Sequence, residues 1–481
     1  MFSMIPGLRF GSPCRLIGGW RALAKALFLG QLLMRAAGWW STPVAAADRN
    51  WTGARSANWS DPNNWTPAGT PLNGDSLLFG YVDDANRSMV NDLTDLRIGA
   101  MFFANNDYQL DGNSLSIDGS INNDNDTPLI SNDNASFTTT INCPLVFPRG
   151  GYIYTGGEGG FVTETTIDLH LNGPITVEAG ELLMEAIATS FNAGGNGHLY
   201  VTGVVSGSGD MLAIATEVDG HVSPVEFNGT PGNTFTGTLY LNTYYGHSPI
   251  IFNKASGVVV GNRLAVRDGD TAELDLAGLN QIGNNATIAV TAGSQLRLSG
   301  QDATVGSLVL TNFHADANSA VVDTGGTTLT LLAGITSGVD NDQGAVPTIK
   351  GRLILPAGLH NFDIGGFNYV GLDMQAQIVG VGGFSKFGNL ALVLESSNRF
   401  SGDVGVVQGI VDVRDKNALG FAGSVTLSDS GSLTLRNVSI GGKTLFARGQ
   451  GPVTADTSGS LLFTVGTCGC FGRACWIRIW P

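Results

Sequence analysis

The side chains able to do chemistry are few and scattered. Paired carboxylates, which glycoside hydrolases use to protonate and attack across a sugar bond, occur at Asp83-Asp84, Asp124-Asn-Asp126 with Asp133, Asp268-Gly-Asp270 and Asp340-Asn-Asp342. Gathered into one groove, Asp124, Asp126 and Asp340 would suit a polysaccharide hydrolase or lyase. Each pair, however, lies among Gly and Asn residues, where Asp ordinarily closes Asx turns. The Asp-x-Asp phrases match neither an EF-hand loop nor the Gly-Gly-x-Gly-x-Asp calcium repeat. The six histidines, His170, His198, His221, His247, His314 and His360, stand singly, at no interval that suggests a metal or a triad. Ser206 and Ser208 sit in Gly-rich phrases without a strand-elbow-helix context. Cys143 reads as a small buried hydrophobe. Cys468, Cys470 and Cys475 crowd the last fourteen residues without a histidine or a zinc-module spacing. No catalytic residue, metal ligand or cofactor site is therefore assigned.

The elements that would have to position such residues follow from composition and pattern. The chain has 481 residues, 68 of them Gly, and only 14% are charged, against roughly 25% in ordinary soluble domains. A hydrophobic fraction of 43% excludes disorder over most of the length. A net charge of −15 excludes a nucleic-acid partner, which needs a basic surface.

Residues 1–47 carry Arg9, Arg15, Arg21, Lys25 and Arg35 and no acid, an apolar run from Ala26 to Met34, and Ala45-x-Ala47. This is the pattern of a signal peptide, with cleavage expected before Asp48. The mature chain would then carry 40 acids against 20 bases over 434 residues. No later stretch is long and apolar enough for a transmembrane helix.

From residue 48 on, apolar residues alternate with polar ones in pieces of three to five: Leu115-Ser-Ile117, Leu274-Asp-Leu276, Leu296-Arg-Leu298, Leu308-Val-Leu310, Leu390-Ala-Leu392-Val-Leu394, Val411-Asp-Val413. Such alternation means short strands, and Gly, Asn and Asp in the gaps mean turns. The pieces repeat. Gln281-Ile282-Gly283 returns as Thr304-Val305-Gly306, 23 positions on, and Asn233-Thr-Phe235-Thr-Gly237 returns as Asn398-Arg-Phe400-Ser-Gly402, 165 positions on. Repetition with inward Val, Ile and Leu and outward Thr, Ser, Asn and Asp indicates an all-β, right-handed parallel β-helix or solenoid. A β-sandwich array is the alternative. The expected organisation is a signal peptide at 1–47, an irregular N-terminal cap with the first coils at 48–140, the solenoid at 141–466 and an atypical tail at 467–481.

Residues 382–420 are similar to a known repeat: Gly382-Gly383-Phe384-Ser-Lys386-Phe-Gly388, the strand to Leu394, Asn398-Arg-Phe400-Ser-Gly402, Val404, Gly409-Ile-Val411-Asp-Val413 and Ala418-Leu419-Gly420. They resemble the exported bacterial proteins that carry autotransporter-associated β-strand repeats. Residues 225–266 are a weaker copy with Asn233, Phe235, Gly237, Lys254 and Gly257 in register. The opening, with Trp51, Asn58-Trp59, Asn64-Trp65 and Gly74-Asp75, also looks like the start of such proteins. The resemblance implies a passenger-type β-helix. The membrane β-barrel that ends autotransporters and the sorting tag of related exported proteins are not read here. After Val465 the chain turns abruptly rich in Cys, Trp and Arg, a break read as a frameshifted or truncated frame.

Trp51, Trp59 and Trp65 admit two roles: a cover over the open end of the solenoid core, or, were their rings exposed, a platform for sugars. The resulting expectation is a secreted, cell-surface or outer-membrane-associated structural or adhesive protein. Its partners would be extracellular glycans or other cell-surface components. The alternative is a carbohydrate-active enzyme or carbohydrate-binding protein on the same scaffold.

Overall fold

Strands that alternate aliphatic with small polar side chains can hide one face only, and here they hide it by coiling upon themselves. The computed structural model describes residues 46–80, 86–104, 106–123, 136–156, 165–188, 195–244, 246–267, 269–291, 293–312, 318–339, 345–421, 423–440, 444–447, 461–463 and 475–478. The chain divides into Met1–Ala45 and Ala46–Pro481, and the description concerns the second unit. The expected signal peptide therefore lies outside the described residues but for Ala46 and Ala47, as does most of the atypical tail.

Among the described residues there is no α-helix, only the single 3-10 turn Pro62–Asn64. The strands pair in parallel with their equivalents one coil later. One ladder runs from Ser88–Asn91 through Phe137–Ile141, Thr165–Leu171, Gly195–Val201, Val225–Gly229 and Ile250–Lys254 to Ser424–Leu435. A second runs from Asp48–Trp51 through Gly150–Thr155, Asp210–Val218 and Leu329–Val339 to Thr444–Ala447. A third ladder is intermittent, as at Leu145–Phe147, Ile175–Val177 and Val205–Gly207. This is a parallel β-helix, and the parallel pairing overturns the sandwich alternative, whose sheets are antiparallel.

Stacking puts like on like. Leu169, Leu199, Val225, Ile250, Leu274 and Leu298 occupy successive coils in register and are buried. Each fully buried aliphatic of such a column contributes about 1.5–3 kcal/mol.

The coil length is not the constant 23 residues that the Gln281 and Thr304 phrases indicate. Gly150 pairs with Glu181 and Thr165 with Gly195, 31 and 30 positions apart, whereas Thr287 pairs with Ser307 and Ser424 with Thr444, 20 apart. The strands keep their register and the corners take up the difference. Ile288 sits under Leu308, 20 positions on, while Leu296 sits under Val322, 26 on, so an interval of 23 averages unequal corners.

At the N-terminal side Trp51 pairs antiparallel with Trp65, folding a short hairpin over the first coil. Asp75 holds the hairpin base: its carboxylate accepts from Ala47 N (2.9 Å), Leu72 N (3.0 Å) and Arg49 Nε (2.5 Å). Near the other end, Leu461–Phe463 and Cys475–Arg478 run antiparallel to Ser424–Leu435 and Thr444–Ala447.

Candidate functional site

Trp51, Trp59 and Trp65 face inward. They are 2%, 0% and 2% exposed, and with Phe79, Phe103 and Tyr108 they form one aromatic plug. Trp51 meets Trp65 edge-on at 4.9 Å, Trp59 stacks on Phe79 at 5.9 Å and Phe79 on Phe103 at 4.6 Å. Indole Nε1 groups of Trp51 and Trp65 donate to Asn86 O and Trp59 O. Buried rings offer no face to a sugar, which overturns the alternative of a carbohydrate platform and leaves the cover over the solenoid core.

Asp83, Asp84, Asp124, Asp126, Asp133, Asp268, Asp340 and Asp342 lie outside the described residues, as do His314, Cys468 and Cys470. Among the described residues no group of three or more His, Cys, Asp or Glu side chains is placed to hold a metal. Cys143 is buried, and burial pushes its thiol up to about 12, so it stays protonated. Ser206 and Ser208 spend their hydroxyls within the coil stack, on Thr176 Oγ1 (3.1 Å) and Glu178 O (2.7 Å). His360 is buried with Nδ1 3.1 Å from Gly383 O, and exposed His247 meets Glu273 at 3.1 Å.

Two histidines that look solitary in sequence converge in space. In the ladder through Thr165–Leu171, Gly195–Val201 and Val225–Gly229, His170 lies under Tyr200 and Tyr200 under Glu226, while Asp168 lies under His198. The His170 ring stacks on Tyr200 at 4.3 Å and 9°, and His198 stacks on the same phenol at 3.8 Å and 25°. Burial, helped by its neighbour His170, pushes the His198 imidazolium down to about 4. Burial also lowers His170, against the attraction of Glu226, and raises Asp168 to about 6. Tyr200 is raised to about 12 by burial first and then by Asp168 and Glu226. Near neutral pH the three rings are thus uncharged.

Perturbed groups on one face invite a catalytic reading, but the geometry works against it. The ring faces are spent on one another, His198 Nε2 is buried, and its approach to Glu226 is 3.8 Å, beyond a hydrogen bond. What the face offers is hydrogen bonding. Beside the stack run amides joined coil to coil: Asn172 Nδ2 donates to Asn142 Oδ1 (3.0 Å), and Asn253 Nδ2 to Glu226 Oε1 (3.1 Å). Sequence reasoning missed this cluster because a varying coil length hides that His170 and Tyr200, 30 apart, are neighbours.

The residues that carry the repeat resemblance build the scaffold. Asn398 is fully buried; its Oδ1 accepts from Ile378 N one coil below (2.7 Å) and its Nδ2 donates to Ala418 O one coil above (2.7 Å). Asn233 does the same between Val205 N and Val259 O, both at 3.0 Å. Phe400 and Phe235 enter the core two residues later. Gly402 and Gly237 follow where a Cβ would run into the backbone of Gly383 and Gly209. Buried Lys386 places Nζ on the carbonyls of Phe387 (2.9 Å), Gly388 (2.6 Å) and Gln408 (3.0 Å). Lys254 does likewise on Thr202 (3.0 Å) and Gly203 (2.9 Å). These amines close corner carbonyls that would otherwise be buried without donors.

With this geometry in view, the chain can be set beside known proteins. It is 23% identical over 597 residues, taking in 92% of its own length, to "Adhesin BmaC autotransporter" of Brucella suis biovar 1 (strain 1330). The chain is similar to an autotransporter adhesin. It spans 17% of that adhesin's length. No family model matches the chain, and no solved structure does. Among the described residues no helix is long and apolar enough to cross a membrane.

Proposed function

We propose that this chain is an exported, non-catalytic β-helical passenger that acts by adhesion at the cell surface or outside it. The observation that carries this reading is similarity to the adhesin over nearly the whole chain, which extends through coil after coil of the solenoid. The mechanism is geometric: a scaffold locked by coil-bridging amides and amines presents polar outward faces and corner turns to a partner. The partners are extracellular glycans or other components of a cell surface. The test is to couple the purified full chain to fluorescent beads and count those retained on cultured epithelial cells. Several-fold more retention than albumin-coated beads is expected; equal retention would refute adhesion.

The alternative of a carbohydrate-active enzyme is favoured by one feature, the Asp168 carboxyl held near 6 on an outward face. Incubating the chain with pectin, xylan and chitin and assaying new reducing ends and unsaturated products decides it. Turnover that disappears in Asp168→Asn would replace the non-catalytic reading.

A further inference from the structure

Among the described residues, the most exposed aromatic rings lie far along the chain from the tryptophan plug. Phe367 is 80% and Tyr369 49% exposed, both on the turn that joins Leu359–Gly366 to Val370–Met374. The backbone of this turn is fixed. Phe367 N donates to Val339 O (2.9 Å), and Asn389 holds both polar groups of Gly366, accepting from its N (3.1 Å) and donating to its O (2.8 Å). Asn368 Oδ1 takes Tyr369 N (2.7 Å), and Tyr369 O takes Ala391 N (2.9 Å). The Tyr369 hydroxyl is aimed by Arg436, whose Nη2 lies 3.4 Å away and whose Nε is tied to Asp412 at 2.7 Å. A ring displayed on a rigid turn loses little entropy when it is covered, which is how aromatic anchors come to dominate binding.

The strands Val370–Met374, Ala391–Leu394, Val404–Val413 and Ser424–Leu435 stack in order, so Tyr369, before the first, and Arg436, after the last, start three coils apart and at opposite strand ends, and their long side chains close the gap. Two ion pairs lie along this strip, Arg436 with Asp412 and Arg414 with Glu395 (2.7 Å), and half-buried Asp373, in the column of Asp412, accepts from Gln375 Nε2 (2.8 Å). The strip therefore combines apolar ring faces, a phenol, an amide and a guanidinium with no unpaired charge among these groups. A ligand matched to it is apolar on one face, hydroxylated at its edges and uncharged. We propose that the Phe367-Asn368-Tyr369 turn, with the Arg436 and Asp412 pair, binds a neutral oligosaccharide, one pyranose seated with its C–H face on an aromatic ring. This rests on the adhesive reading and supplies its ligand class.

The test is calorimetric titration of the full chain with maltotriose, cellotriose and chitotriose, beside the bead assay. Saturable binding of at least one trisaccharide is expected, weakened about tenfold or more in Phe367→Ala and Tyr369→Ala and unchanged in Phe421→Ala, whose exposed ring lies at another corner. Because Phe367 buries little, its variant should keep the wild-type urea midpoint, separating lost binding from lost folding. No saturable binding of the three sugars, or equal binding by Phe367→Ala, overturns the proposal. If the beads nonetheless adhere, adhesion stands and this site falls. If sugar binds and the beads do not adhere, the site stands and adhesion falls. Adhesion that Phe367→Ala abolishes but free trisaccharide does not compete would mark the turn as a protein-docking site, against the proposal.

Discussion

Asn398 ties three coils together, and replacing it with Ala tests whether such ties hold the solenoid. The substitution removes an acceptor 2.7 Å from Ile378 N and a donor 2.7 Å from Ala418 O at a position with no solvent exposure. Each orphaned buried group costs about 1–3 kcal/mol, and the space left by the amide adds a little more. A loss of about 3–4 kcal/mol is expected. Spread over the cooperative melting of roughly 400 residues, that is only about 4 °C in Tm. Hydrogen exchange read by mass spectrometry is the sharper assay, because solenoid coils open locally. Peptides covering 376–380 and 416–420 should exchange about a hundredfold to a thousandfold faster, as every 1.4 kcal/mol is a factor of ten, while coils around 225–260 should not change. Asn233→Ala, with bonds of 3.0 Å and slight exposure, should act more weakly and additively at its distance. Exchange of the Ile378 peptide within threefold of wild type would refute the account of this residue.

Three further outcomes follow from the same structure. Burial pulls Lys386 down to about 7 from its ordinary 10.5; the unfolded chain then binds the extra proton between those values, so stability rises with pH across that window. The urea-derived stability difference between wild type and Lys386→Met should accordingly grow from pH 7 to pH 9, and a flat difference would show an unperturbed amine. Asp168 is shifted the other way, up to about 6, so the folded chain loses stability as pH rises from about 4 to 6. Asp168→Asn should then gain about 1 kcal/mol at pH 7.5, after allowance for partial exposure, and nothing near pH 4. Trp59→Ala, emptying the middle of the aromatic plug, should lose about 3–5 kcal/mol and expose the segment around Arg49 to trypsin; unchanged digestion would mean that the plug does not secure the hairpin.

The fold was legible because alternation is a local property. Leu274-Asp-Leu276 and Leu296-Arg-Leu298 announce strands one at a time, and Ala272 does lie under Leu296 and Leu274 under Leu298. The Asn-x-Phe-x-Gly phrase was legible for a second reason: the buried amide, the core ring and the close backbone approach each demand one residue type, so the 165-position recurrence reports a real structural equivalence. The outward face was not legible. Which polar residues become neighbours depends on corner lengths, and His170, Tyr200 and Glu226 are spaced by 30 and then 26 residues. Nor could the sequence rank its aromatics, since Trp59 and Phe367 both follow an Asn or Gly in turn-rich surroundings while one is sealed in the core and the other stands in solvent.

The hairpin over the first coil bears on what a parallel ladder does when left open. Its terminal strand is a template: any chain of the same pitch and polarity could add to it, and copies would polymerise end to end into fibres. Here the terminal strand Asp48–Trp51 gives its outer edge to Trp65–Thr66, which runs the opposite way and is two residues long. The next residue is Pro67, which has no N–H to offer. A further copy arriving at this end meets reversed polarity and a missing donor. Among the described residues, the hairpin thus closes this edge of the ladder to end-on pairing.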